Sequence, residues 1–250
     1  MAARIAPSIM CADLLNLGDT VRELDAAGVD YFHFDIMDGH FVPNLTLGPD
    51  IVSQVRTITQ TPFDIHLMVE RPEHFIGMFQ LHPGDFVSIH QETAVHAQRI
   101  LKQIKDAGAR AAVALNPATL FHTLEYILPD IDMILLMMVN PGYAGQSLLP
   151  AVLKKITHLR QYLNDAGYGN IEIEVDGNVS FENAVKMRKA GADIFVAGSS
   201  SIFAKGMAFK DSIRLLRTCV GDIHIPEGAA VRLEKVADGW GPSIDFIKFR

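Results

Sequence analysis

The sequence predicts an α/β chain folded as a (β/α)8 TIM barrel with a parallel eight-stranded core. Three observations carry this expectation. Eight short apolar runs begin near Arg4, Val29, Phe63, Phe86, Arg110, Met133, Ile171 and Ile194, each about the length of a buried strand. Segments with helical spacing separate most of them, and Gly repeatedly marks where such a segment should stop. Strands alternating with helices imply right-handed βαβ crossovers and a parallel sheet. Eight units in 250 residues suit a closed barrel. An open doubly wound sheet is the runner-up, but no Gly-x-Gly-x-x-Gly follows the first strand.

Taken in order, the run from Arg4 ends at Pro7-Ser8. The stripe Leu14, Leu17, Val21 and Leu24 follows, closed by Ala27-Gly-Val-Asp30. The second run, Tyr31-Phe-His-Phe-Asp35, stops abruptly in polar residues, and the third is Phe63-Asp-Ile-His-Leu-Met-Val69. Ile100, Ile104 and Ala107 form a second helical stripe, ended by Ala107-Gly-Ala-Arg110. Met133 to Val139 is strand-sized. A third stripe, Val152, Ile156, Leu159 and Leu163, leads to Ile171-Glu-Ile-Glu-Val-Asp-Gly177. Ala190-Gly-Ala-Asp193 precedes the last strand. The stripes read as core faces. The pattern stops at Val220, so the barrel is expected over residues 1–220 and a C-terminal extension over 221–250. That extension carries Pro226, Gly228, Gly239, Trp240, Gly241 and Pro242.

Composition narrows the function. The formal net charge is -7 with no Lys/Arg run, which argues against a nucleic-acid partner. An anionic substrate therefore needs local donors. The isolated cysteines Cys11 and Cys219 fit a reduced, cytoplasmic protein. No apolar run has the length of a membrane span, and the first residues lack the apolar core of a signal peptide.

His33 and Asp35 are two apart, so on a strand they share a face. His66 and Asp176 end two further strands. Any one of these reads equally well as a core histidine or a turn aspartate. Their recurrence at strand ends points to one shared site, because barrel active sites form at the C-terminal strand ends. Two imidazoles and two carboxylates suit one divalent ion, Zn2+, Mn2+, Fe2+ or Co2+. Asp35 and Asp176 on opposite sides of a substrate, unequally protonated, would invert a stereocentre through an enediolate. The small-residue loops Gly142-Tyr-Ala-Gly145, Asp176-Gly-Asn-Val179 and Ala197-Gly-Ser-Ser200 follow strands six to eight, where barrels often bind phosphate.

These motifs resemble the ribulose-phosphate 3-epimerase family from about Ile5 to Phe203. The matching stretches are Ala6-Pro-Ser-Ile-Met10, His33 to Asn44, Asp64-Ile-His-Leu-Met68, Ala114-Leu-Asn-Pro117, Leu136 to Gly142 and Glu174-Val-Asp-Gly177. The resemblance implies a metal-dependent barrel that interconverts C3 epimers of a phosphorylated ketose, by default ribulose 5-phosphate and xylulose 5-phosphate. It implies metal ligation by His33, Asp35, His66 and Asp176, with Asp35 and Asp176 as the acid/base pair. It places Ser8, His66, Met37, Met68, Met137, Gly142 and Asn178 among the substrate-binding residues, and Gly145, Gly177, Gly198 and Ser199 around the phosphate.

The family's usual Asp-Gly-Gly is here Asp176-Gly177-Asn178. Met10 to Leu15, Asn44 to Leu47 and His90-Gln-Glu-Thr93 look like the allulose-6-phosphate 3-epimerase branch, which implies a six-carbon alternative. A barrel decarboxylase is a different class; it would need a catalytic Lys, and none precedes Arg99. A non-catalytic sugar-phosphate sensor would not need all four metal-type residues. Barrels of this type often associate, so a homo-oligomer is expected, with an apolar surface near Trp240 as a candidate contact.

Overall fold

The structure, a computed structural model, describes residues 2–221, 230–236 and 239–245. Eight parallel strands are present: β1 (Arg4–Pro7), β2 (Phe32–Met37), β3 (Phe63–Met68), β4 (Phe86–His90), β5 (Arg110–Leu115), β6 (Met133–Met137), β7 (Glu172–Asp176) and β8 (Ile194–Ala197). Their order runs from β2 round to β8 and on to β1. The circle closes between β1 and β2 through the parallel bridge Ser8–His33 and bonds from the Asp30 and Tyr31 amides to the Ile5 carbonyl. The barrel expectation holds.

Among the described residues six α-helices cover the outside: α1 (Leu17–Ala26), α2 (Pro49–Arg56), α3 (Ala97–Asp106), α4 (Ala151–Asp165), α5 (Phe181–Ala190) and α6 (Phe209–Val220). After β3 and β5 the chain makes 3-10 turns, at Pro72–His74, Ile76–Met78 and Phe121–Asp130. Pro72, Gly77 and Pro129 sit in these turns, where an α-helix would lose hydrogen bonds or backbone entropy.

Strand alternation divides the interior in two. Phe32, Phe34, Ile36, Phe63, Ile65, Leu67, Val87, Ile89, Val113, Ile134, Ile173 and Phe195 face the helices and form the main core. The opposite parity points into the barrel. There it carries His33, Asp35, Asp64, His66, Ser88, His90 and Glu174, all buried. Polar groups inside a barrel are costly unless they pair, so this layer is where function is to be sought.

The end of the barrel away from these groups has its own device, repeated four times. Asp30, Asp85, Asp132 and Asp193 each stand just before an even-numbered strand. Each accepts the amide of a residue on the preceding odd-numbered strand: Ile5 at 2.8 Å, Phe63 at 2.7 Å, Ala111 at 2.8 Å and Ile173 at 3.0 Å. Each also meets a cation, respectively Arg217, Arg56, Lys105 and Arg160. These clamps explain why β2 starts at Phe32 and not near Val29. Asp30 is held to Ile5 by backbone and side chain, so Val29 to Tyr31 belong to the connection.

Beyond the barrel, β9 (Ala230–Val236) and β10 (Gly239–Asp245) pair as an antiparallel hairpin beside α5 and α6. The Trp240 side chain, and the apolar surface expected around it, lie outside the described residues.

Candidate metal centre and substrate cleft

β2 and β3 are in register with Asp35 opposite His66, and β6 and β7 with Met137 opposite Asp176. This register brings His33, Asp35, His66 and Asp176 together across the barrel mouth. Each offers one donor atom, and the four atoms lie within 4.8 Å of one another. Asp35 Oδ1 is 3.2 Å from His33 Nε2 and 3.3 Å from His66 Nδ1. Asp176 Oδ2 is 3.8 Å from His66 Nδ1. Ligand bonds of about 2.1 Å in a tetrahedron put neighbouring donors roughly 3.4 Å apart, so the donor set fits a small divalent ion. Nitrogen and oxygen donors without thiolate suit Zn2+, Mn2+, Fe2+ or Co2+ alike.

The surroundings orient these donors. His33 Nδ1–H donates to the Asp64 carboxylate, which leaves Nε2 to face Asp35. Burial opposes a charge on His33, but Asp64 and Asp35 together hold its pKa well above the usual histidine value. Ser8 Oγ donates to Asp35 Oδ2 at 2.6 Å, so one carboxylate oxygen faces the ring nitrogens and the other faces Ser8. Thr46 Oγ1 donates to the Asp35 carbonyl at 2.5 Å and pins the strand end.

The two carboxylates differ in protonation. Burial alone would raise the Asp35 pKa, but the charge on His33 and its hydrogen bond hold it far below the carboxylate range. Burial and the Asp35 charge push Asp176 up to about 7. Deeper down, Glu174 is fully buried beside Asp64, and burial with the Asp64 charge pushes its carboxyl well above the ordinary value. A neutral Glu174 can share its proton with Asp64, whose Oδ1 has no other partner.

Above the cluster opens a cleft of about 540 Å3, its mouth included. Ser8, Met37, Met68, Met137, Gly142, Gly145, Gly177, Asn178, Gly198 and Ser199 all line it. His33 and His66, fully buried, sit beneath the floor. Met37 and Met68 pack with Val42 on one side, and Met137 with Ala114 and Leu135 on another. These thioethers give an apolar, adaptable wall.

Asn178 replaces glycine without strain on the loop. Its φ of 49° is left-handed, a region Asn tolerates. Its side chain donates to the Gln146 carbonyl at 2.7 Å and accepts from Asn183 Nδ2 at 2.7 Å. Asn178 thereby ties the loop after β7 to the loop after β6. Met10, Cys11, Asn140, Tyr143 and Gln146 also line the cleft and were not singled out in the sequence. Met10 and Cys11 come from a 3-10 turn after β1 and the others from the loop after β6, where no long periodicity marks them. Burial and the Asp35 charge push the Cys11 thiol up to about 11, so it stays protonated at neutral pH.

His90 ends β4 but does not join the four donors; it stands behind His66, with Nε2 of each ring 2.8 Å apart. No helix among the described residues is long and apolar enough to cross a membrane.

Comparison with known proteins identifies the family. Residues 4–203 match the model of the ribulose-phosphate 3 epimerase family. The ribulose-phosphate 3-epimerase of Bacillus subtilis is 43% identical over 197 residues, 79% of this chain and 91% of that protein. The chloroplastic ribulose-5-phosphate-3-epimerase of Arabidopsis thaliana is 44% identical over 206 residues, 82% of this chain and 73% of that one. Among solved structures, KGPDC from Streptococcus mutans superposes with a TM-score of 0.64 at 12% identity, covering 88% of this chain and 98% of that chain. That likeness speaks for the barrel alone. The family match and the sequence identity together place this chain in the ribulose-phosphate 3-epimerase family.

Proposed function

We propose that this chain interconverts D-ribulose 5-phosphate and D-xylulose 5-phosphate with one bound divalent ion. The observation that carries the reading is a pair of carboxylates in unlike surroundings, Asp35 beside His33 and Ser8 and Asp176 beside Asp35, sharing a donor cluster at the floor of a cleft walled by glycine loops. His33, Asp35, His66 and Asp176 hold the ion. When bound, it polarises the substrate carbonyl and stabilises the negative charge of the enediolate. Asp35, ionised and steadied by Ser8, takes the proton from C3 on one face. Asp176, protonated, delivers a proton to C3 on the other face, which inverts the centre. In the reverse direction the two exchange roles.

The methionine wall keeps water from the enediolate, whose protonation would otherwise be indiscriminate. Gly145, Gly177, Gly198 and Ser199 offer backbone N–H groups to the phosphate, which suits a chain with no general positive field. The barrel of residues 1–220 contains all of these groups. The reading also carries a reduced, cytoplasmic setting, supported by Cys11 and Cys219 being unpaired, and self-association of the barrel.

The test is turnover of ribulose 5-phosphate and of allulose 6-phosphate by protein stripped of metal and then reloaded with each of the four ions. Metal-dependent preference for the five-carbon substrate is expected. Preference for allulose 6-phosphate would move the assignment to the six-carbon branch, and no turnover of either would overturn the reaction itself.

A further inference from the structure

Behind the donor cluster a hydrogen-bonded line runs from the buried His66 and His90 rings to Glu92, which is partly open to solvent. His66 Nε2 meets His90 Nε2 at 2.8 Å, and His90 Nδ1 meets Glu92 Oε2 at 3.1 Å. Both rings are fully buried, and Phe41 covers His90 with ring centroids 4.6 Å apart. The other oxygen of Glu92, Oε1, accepts the Asn116 amide at 2.9 Å and the Thr119 hydroxyl.

Hydrogen-bond chemistry allows one arrangement of protons along this line. A carboxylate only accepts, so the His90 nitrogen facing Glu92, Nδ1, carries the hydrogen. In a neutral ring His90 Nε2 is then bare. Two nitrogens in contact share one hydrogen, so it sits on His66 Nε2. His66 Nδ1 is left bare, and that is the atom facing Asp35 and Asp176. Only a bare imidazole nitrogen ligates a metal.

We propose that Glu92 and His90 are positioning residues that lock His66 in its metal-binding tautomer. The inference rests on the metal centre proposed above. Glu92 acts over two hydrogen bonds and never touches the ion. Without it, His66 could place its proton on Nδ1 and donate to Asp35 Oδ1, which lies 3.3 Å away, and so compete with the ion.

Glu92→Gln separates this role from mere packing. Asn116 N–H and Thr119 Oγ–H are both donors aimed at the Oε1 place, so the amide oxygen, not the NH2, is the group that matches them there. The amide NH2 then faces His90 Nδ1 and reverses every proton in the line. Glu92→Ala removes the acceptor without imposing the reverse order. A structural role makes Gln the milder change, because it keeps shape and two hydrogen bonds. A tautomer lock makes Gln the worse one.

The experiment measures Zn2+ affinity by competition with a chromophoric chelator, with His66→Ala as the control for a lost ligand. Ring 15N shifts of the metal-free proteins are recorded alongside. The expected affinity order is wild type, then Glu92→Ala, then Glu92→Gln, the last about 10–100-fold weaker than wild type. His66 should be protonated on Nε2 in wild type and on Nδ1 in Glu92→Gln. Zinc binding by Glu92→Gln as tight as by Glu92→Ala would overturn the lock and leave the metal centre standing. Failure of wild type to bind zinc would instead overturn the metal centre. The 15N assignment judges the tautomer in either case, and a wild-type His66 protonated on Nδ1 refutes the lock even if the variants do not fold.

Discussion

Gly177→Ala should be far more damaging than an ordinary glycine replacement. Gly177 follows Asp176 at a φ of 109°, outside the range L-residues adopt without strain. An added Cβ would lie 2.6 Å from Val139 Cγ2 and 3.1 Å from the Val139 backbone nitrogen. The second neighbour is main chain at the end of β6, so it cannot swing aside. Backbone strain costs about 1–3 kcal/mol, and the overpacking a similar ~1–3 kcal/mol. Loss of unfolded-chain freedom returns only about 0.4–1 kcal/mol. The net loss centres near ~3 kcal/mol, or about 6–12 °C in Tm for a chain of this size. Gly28→Ala is the control: its φ is 77° and an added Cβ would meet nothing within 4 Å. It should lose roughly 0–1.5 kcal/mol from the left-handed backbone alone. Thermal unfolding followed by circular dichroism, with chelator present to remove ligand linkage, measures both. A Gly177→Ala shift no larger than that of Gly28→Ala would refute the steric argument.

Asp35→Asn and Asp176→Asn should each remove nearly all turnover with the barrel still folded; a near-wild-type rate in either would end the two-carboxylate mechanism. Asp85→Ala should cost about 3–5 kcal/mol in urea unfolding, because it leaves Arg56 and the Phe63 and His82 amides without their buried acceptor. Since Asp85 lies at the end away from the cleft, the folded variant should keep its turnover; a loss below about 1 kcal/mol would count against the clamp. Lys155 donates to the Asn116 carbonyl at 2.8 Å, and burial, opposed by Glu92, lowers its pKa to about 8. Its charge therefore weakens the fold in full below pH 8, and the penalty fades as pH rises towards the unfolded-state value near 10.4. Wild type should gain stability relative to Lys155→Met between pH 7.5 and 9.5 in metal-free protein; a constant difference in urea midpoint would refute this.

The sequence carried the barrel because strand burial and helix stripes are local, periodic signals. Phe32, Phe34 and Ile36 alternate with His33 and Asp35, so one strand declares both its core face and its polar face. The four donors were legible for the same reason: each sits on the inward parity of a strand, and Asp35, His66 and Asp176 lie near the strand's end. Asp64 and Glu174 obey that parity too, two residues before His66 and Asp176. Spacing cannot tell a donor from the group that orients it, and that awaits register. The function of His90 and Glu92 was hidden because it depends on a contact between β3 and β4 and on which nitrogen faces which. The 3-10 turns after β3 and β5 interrupt helical periodicity, so no stripe announces them.

The four aspartate clamps bear on how the chain is made. Each joins strands that are neighbours in sequence, β1 with β2, β3 with β4, β5 with β6 and β7 with β8, so each carboxylate–amide bond can close as soon as its second strand leaves the ribosome, although Asp30 waits for Arg217 to complete its ion pair. The ladder between β1 and β8 is different. Pro7 finds its partner only in Ala197, 190 residues later by subtraction of the two numbers. At about 5–20 residues per second that wait is roughly 10–40 s. The cleft draws Ser8, Asp35, Asp176 and Ser199 from the first and last of these pairs. Four quarters of the barrel can thus form in turn, while the reactive mouth comes together only when the last quarter meets the first.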